Sequence, residues 1–377
     1  MIVDSHAHIF EKWSGACGLP SRALHWRYIQ KIVTRPAAKV IRFRDGAPGD
    51  ASVLFSGNGY SWSELRDDVQ FRVGTYGRLD FTLDGEDYYV QYMPPAMADI
   101  ESTPEFMITQ MNAAGVDHCI LQAGFSYGAM NDYNALAQHQ FRTRFSGLFH
   151  VDEPRANEEQ WMNEAERAFK QLGLRGLYYS LEQFSRYNFD VWFNESRFNS
   201  FWEMIESHGI PVFIEFSAIP TYDKAGYLDV LKRFSALSKC FPSIRWLLVM
   251  APPIQYFAEG DAWNFPTEVD ELFTRDNILL ELCYPITWGG RVDYPFPSIQ
   301  RLIRNLRDRY GTSKLVWGSD MPNVERFCTY RQSIDYIRNY CEFLSSAEKD
   351  RILGGNILDF LGVPKVEESL RTGAVTI

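Results

Sequence analysis

Ile2-Val3-Asp4-Ser5-His6-Ala7-His8-Ile9 opens the chain, and its reading decides the fold. An apolar run carrying two histidines two residues apart reads as a buried strand, because i and i+2 side chains share one face. Seven further short apolar runs follow: Val116–Ala123, Phe145–Val151, Leu174–Tyr179, Ile210–Phe216, Ile244–Ala251, Ile278–Tyr284 and Leu315–Ser319. Helical patterns lie between them. Thr103-Pro104-Glu105 opens one and Gly115 follows it. Phe198, Phe201, Trp202 and Ile205 stripe another, and Tyr227, Val230, Leu231 and Phe234 a third. Ser298 is expected to cap a fourth, whose buried face is Ile299, Leu302, Ile303 and Leu306. Eight strands alternating with helices predict an α/β chain, a closed (β/α)8 barrel of the TIM type; an open doubly wound sheet is the second reading.

The 377 residues then form one domain, 1–377, long enough for a barrel with an insertion. The insertion is expected at 43–95, on the loop after the first strand. That segment is rich in Gly, Asp and Tyr, Val69–Phe81 and Tyr88–Tyr92 read as hairpin strands, and Asp84-Gly85 is a turn signal. Loops that follow barrel strands sit at the catalytic face, so the insertion either covers the site or makes an oligomer contact.

Composition narrows the function. Hydrophobic residues make up 46% and aromatics 15%, which suits a ring-lined pocket or the contact face of a homo-oligomer. A formal charge of −10 without a basic block argues against nucleic acid and anionic membranes as partners. The six cysteines are scattered without a C-x-x-C pair and read as reduced thiols. Neither a secretory leader nor an apolar run of the roughly 18 residues a membrane span needs is visible, so a cytoplasmic protein is expected.

His6 and His8, aimed into a barrel, form a metal-binding pair. Asp320, in Gly318-Ser319-Asp320-Met321-Pro322, ends the last strand and comes beside the first one in a closed barrel. There it is placed to ligate the same ion or to accept a proton from activated water.

His6-Ala7-His8, Gly318-Ser319-Asp320-Met321-Pro322 and Ile352-Leu353-Gly354-Gly355-Asn356 together resemble the amidohydrolase-related family that includes aminocarboxymuconate-semialdehyde and resorcylate-type decarboxylases. The similarity runs from Met1 to about Val363, outside the insertion. It implies a barrel, one zinc or manganese ion, and His6, His8 and Asp320 as ligands. Two departures stand out. Glu215 occupies the strand-five place where the family carries a histidine ligand, and it is expected to serve as a further ligand. Met250 occupies the place of the family's catalytic histidine, and methionine transfers no protons.

Other groups are therefore candidates for the chemistry. His150, at a strand end, is a candidate acid or base alongside Asp320. Tyr178 is a candidate for orienting substrate, and Arg326 for gripping a substrate carboxylate. The leading expectation is a metal-dependent hydrolase of a small carboxylated compound, aromatic, unsaturated or a lactone, using metal-activated water. Non-oxidative decarboxylation of an aromatic acid is the alternative. A non-catalytic ligand-binding barrel, suggested by Met250 and Glu215, is the rival from another class.

Overall fold

The computed structural model describes residues 1–35, 38–216, 221, 223–259, 262–284 and 292–362. Residues 363–377 of the expected domain lie outside the described residues. In chain order the strands are β1 (Val3–Ala7), β2 (Val40–Arg42), β3 (Arg72–Val73), β4 (Arg78–Leu83), β5 (Glu86–Gln91), β6 (His118–Leu121), β7 (Phe145–Gly147), β8 (Leu177–Ser180), β9 (Val212–Glu215), β10 (Trp246–Val249), β11 (Ala258–Glu259), β12 (Ala262–Trp263), β13 (Ile278–Leu282) and β14 (Leu315–Trp317). All eight expected apolar runs overlap a strand, and β8 reaches one residue beyond its run, to Ser180.

Those eight strands pair in parallel, each with its neighbour in chain order. One sheet runs β1-β6-β7 and another β8-β9-β10-β13-β14. Parallel bridges Phe149↔Leu177 and Ala7↔Met321 join the two sheets at both margins. Side chains alternate across each strand, as the period of two requires. Val3, Ile120, Leu148, Phe213, Leu247 and Val316 meet in one apolar cluster, closed by Ile357 and Phe360 of the helix Asn356–Leu361. Val212, Ile214, Trp246 and Leu248 belong to the larger cluster with the helix residues Phe201, Trp202 and Val230.

Local signals explain the helices. The Thr103 hydroxyl accepts from the Phe106 amide at the start of Pro104–Ala114, and Gly115 ends that helix at φ 77. Ser298 is not a cap. Its helix begins at Pro297, whose ring presets a first-turn φ, with Phe296 in the capping position.

The segment after β1 builds a four-stranded antiparallel sheet ordered β2-β5-β4-β3. Asp84 (φ 51) and Gly85 (φ 76) form the two-residue turn of the β4–β5 hairpin. The sheet starts at Val40, earlier than expected, because β2 pairs with β5. Helix α1 (Arg22–Val33) and this sheet share an apolar cluster that includes Phe10, Trp13, Ile29, Leu79, Phe81, Val90, Tyr127 and Met130. The insertion therefore leans on the loops that leave the C-terminal ends of β1 and β6. Among the described residues no helix is long and apolar enough to cross a membrane.

Candidate metal centre

The end of β1 is laced to the segment after β14. The Asp320 amide donates to the His6 carbonyl at 2.8 Å, and the His8 amide to the Met321 carbonyl at 2.8 Å. Asp320 holds φ 61, a left-handed conformation that costs a non-glycine residue free energy and persists only where neighbours impose it. Gly318 permits the approach: a Cβ there would stand 2.8 Å from Ser5 Oγ and 2.9 Å from His6 Cβ. Below, the fully buried Asp4 carboxylate accepts from the Ser319 amide (2.9 Å), the Ser319 hydroxyl and the Tyr330 hydroxyl (2.7 Å). Burial pushes Asp4 up to about 6, against the lowering effect of those hydrogen bonds.

Both imidazoles are fixed from behind. His8 Nδ1 lies 2.9 Å from the Gln122 carbonyl, which only accepts, so Nδ1 carries the hydrogen and a neutral His8 presents its Nε2 lone pair forward. His6 Nδ1 lies 2.8 Å from Glu281 Oε2. Glu281 is itself held by the Ser5 hydroxyl (2.6 Å), Gln122 Nε2 (3.1 Å) and the Met250 amide (3.2 Å). In front, His6 Nε2 and His8 Nε2 are 3.1 Å apart, and Asp320 Oδ1 lies 3.0 Å from the latter and 3.7 Å from the former.

Three electron-rich atoms converging in a buried space require a proton or a cation among them. Burial by itself lowers the His6 pKa; the charge and hydrogen bond of Glu281, with Asp320 and Glu215, outweigh it and carry His6 up to about 9. Burial raises Asp320, but the His8 hydrogen bond and both imidazole charges draw it below the usual carboxylate value. Two imidazoles and a carboxylate, each within 4.8 Å of the others, are a donor set that suits zinc or manganese. Carboxylate and carbonyl partners behind the imidazoles are the usual support of such ligands.

Around this trio the structure adds groups the sequence reading did not assign. Tyr127 stacks on His8, with ring centroids 4.2 Å apart. Asn323 Nδ2 donates both to the Tyr127 hydroxyl (2.9 Å) and to Asp320 Oδ1 (2.8 Å). No sequence motif marks Tyr127. Asn323, three residues beyond Asp320, is legible only as a residue on the same short turn.

The other expected site residues fall in different places. Arg326 Nε donates to the Asn323 carbonyl at 3.1 Å, and its guanidinium sits 5.2 Å from the ring centre of Tyr92, from the insertion. Burial lowers the Arg326 pKa, while Tyr92 and Asp320 pull it the other way. Glu215 accepts the Tyr178 hydroxyl and stands outside the converging trio, although its charge reaches His6. Burial, then Glu215, raise the Tyr178 pKa, so the phenol stays protonated.

His150 does not join the trio. Its Nε2 accepts the Met130 amide at 3.2 Å, and its ring packs edge-on to Phe125 with centroids 4.6 Å apart. It lines a cavity of about 300 Å³ with Phe125, Asn131, Trp161 and Glu164. Burial lowers His150 to about 4, so the ring is neutral and its Nε2 lone pair is committed to backbone. An acid–base role at the trio does not follow from that placement. Met250 directly follows β10 in a left-handed conformation (φ 51), offering Glu281 its amide and no proton-transfer group.

A family model described as Amidohydrolase matches residues 3–363. An L-fucono-1,5-lactonase of Burkholderia ambifaria is 29% identical over 140 residues, covering 34% of this chain and 46% of that protein. The match thus spans less than half of that relative's length. A probable 2-pyrone-4,6-dicarboxylic acid hydrolase from Acinetobacter baumannii, with citric acid bound, is 19% identical, covers 70% of this chain and 90% of its own, and has a TM-score of 0.54. A dihydroxybenzoic acid decarboxylase from Polaromonas sp. JS666, with bound manganese and 2-nitroresorcinol, is 16% identical over 69% of this chain and 86% of its own, with a TM-score of 0.50. At these identities the two solved structures bear on the fold.

Proposed function

The chain belongs to the amidohydrolase family and is an enzyme, and from that premise we propose that it is a metal-dependent hydrolase of a small carboxylated ring compound or lactone. In this reading the eight parallel strands form a (β/α)8 barrel, and the insertion lies over its catalytic mouth. Membership of an enzyme family sets aside the ligand-binding alternative. One observation carries the proposal: the two imidazole Nε2 atoms and Asp320 Oδ1 converge, with both Nδ1 atoms already engaged from behind. His6, His8 and Asp320 are the residues that would hold the ion, zinc or manganese. When bound, such a cation supplies Lewis-acid polarisation of a substrate oxygen and acidifies water.

The protein's own groups do the rest. Asp320, drawn down by the imidazoles, is an ionised acceptor for the proton that water gives up on attacking a carbonyl carbon. Asn323 fixes the orientation of that carboxylate. Arg326 offers its terminal N–H groups to a substrate carboxylate, with its guanidinium packed over the Tyr92 ring. Tyr178, fixed by Glu215, orients the substrate; in this reading Glu215 acts through the phenol rather than as a fourth ligand. Non-oxidative decarboxylation is the second reading. The protonated Tyr178 hydroxyl favours it, as a buried donor for a carbon that loses carbon dioxide.

The test is elemental analysis of purified protein, followed by a screen of sugar and pyrone lactones and of hydroxylated benzoates. Lactone opening without release of carbon dioxide supports hydrolysis. Carbon dioxide from the benzoates shifts the assignment to decarboxylation, and a protein that takes up no transition metal rules out both mechanisms. A second expected result concerns Glu281→Gln. Losing a partner that orients a ligating imidazole typically costs about 10–100-fold in metal affinity or activity. Competition with a chelator should show a loss of that size, and an unchanged affinity would contradict the supporting role.

A further inference from the structure

Lys31 lies on α1, in the segment that separates β1 from the insertion sheet. It is 3% exposed, which is unusual for a lysine. No carboxylate among the described residues forms an ion pair with it. A buried ammonium without a carboxylate in direct contact is costly, and the charges of Glu182 and Glu64 offset that cost only from a distance. Burial pushes it below the ordinary lysine range, against the raising pull of Glu182.

Its direction follows from the helix. Lys31 shares a face with Tyr28, three residues earlier. The Tyr28 ring is stacked on Phe125, with centroids 5.2 Å apart, in the loop that follows β6. That face therefore looks toward the C-terminal ends of the parallel strands. Glu182, just after β8, acts electrostatically on Lys31, on Tyr178 and on Tyr92. Tyr92 in turn carries Arg326 on its ring. Lys31 and Arg326 thus flank the Tyr92–Glu182 pair from different parts of the chain, with the exposed Arg35 acting on both. Among the described residues Arg326 donates only its Nε, to the Asn323 carbonyl, and its terminal nitrogens meet no carboxylate.

We propose that Lys31 is a second anchor for an acidic group of the substrate, so that the site takes a small acid with two carboxylates, one on Arg326 and one on Lys31. The proposal rests on the reading of Arg326 as a carboxylate grip and deepens it by naming a diacid. It also gives α1 and the insertion a role in specificity: they bring to the mouth a cation that the strand ends do not supply.

Calorimetric titration of the purified, manganese-supplemented protein with benzoate, isophthalate and terephthalate tests it without requiring turnover. Charge-assisted hydrogen bonds are the strong ones, and at least one diacid is expected to bind about tenfold or more tightly than benzoate. Lys31→Met should bring the two within about threefold, and Lys31→Arg should keep the preference, because the cation is retained. A wild-type ratio below tenfold overturns the proposal, as does a preference that survives Lys31→Met. Should Lys31→Met not fold, Lys31→Gln replaces it, and the wild-type ratio already decides. A protein that prefers diacids yet holds no metal and turns nothing over would instead break the hydrolase reading and leave this one standing.

Discussion

His6→Ala is expected to remove metal and turnover together. The imidazole supplies one of three converging donor atoms, so the loss of metal affinity should exceed the roughly 10–100-fold typical of a supporting partner. The same change strips Glu281 of its closest cationic partner. Glu281 is fully buried, and removing one member of a buried pair costs about 3–5 kcal/mol. Metal analysis, thermal melting and the activity assay should therefore all move. A variant that keeps its metal and its rate would show that His6 is no ligand.

Asp320→Asn separates holding the ion from moving the proton. The amide is close to isosteric, and its oxygen can still accept from Asn323 Nδ2, as Asp320 Oδ1 does at 2.8 Å. It lacks the negative charge that both imidazoles draw on, and it takes up no proton near neutral pH. General acid–base help is typically worth about 10²–10⁴ in rate, and a loss of that order is expected even at saturating manganese. Recovery of the full rate on adding metal would mean that Asp320 only binds the ion.

The strands were the most legible part of the fold. Each is a short, almost unbroken apolar run, because a parallel strand covered on both sides must be apolar on both faces. The β4–β5 hairpin was legible from Asp84-Gly85, whose backbone tolerates positive φ. The short strand β2 was not, because it exists through its pairing with β5, far along the chain. Ser298 misled because capping preference is local, whereas Pro297 had already set the helix start. In the site, His6, His8 and Asp320 could be read from strand parity and from the closure of first strand against last. Tyr127 and Asn323 could not, since a stacking ring and a turn amide have no spacing of their own. His150 shows the opposite failure. It lies three residues beyond β7, and its Nε2 accepts the Met130 amide beside Phe125 while its buried Nδ1 meets no hydrogen-bond partner among the described residues.

The lacing of β1 to the segment after β14 also bears on how the enzyme comes into being. His8 and Asp320 meet across 312 positions of sequence. Chains fold from the N-terminus as they are synthesised, and long-range pairings form last. A nascent chain therefore carries His6 and His8 on a strand with one margin unpaired until the segment after β14 has been made. The third donor, and the Asp4–Ser319 hydrogen bonds that fix it, arrive together at the end. Closure of the first strand against the last and completion of the ion-binding set are thus one event, and a product lacking β14 and the segment after it has neither.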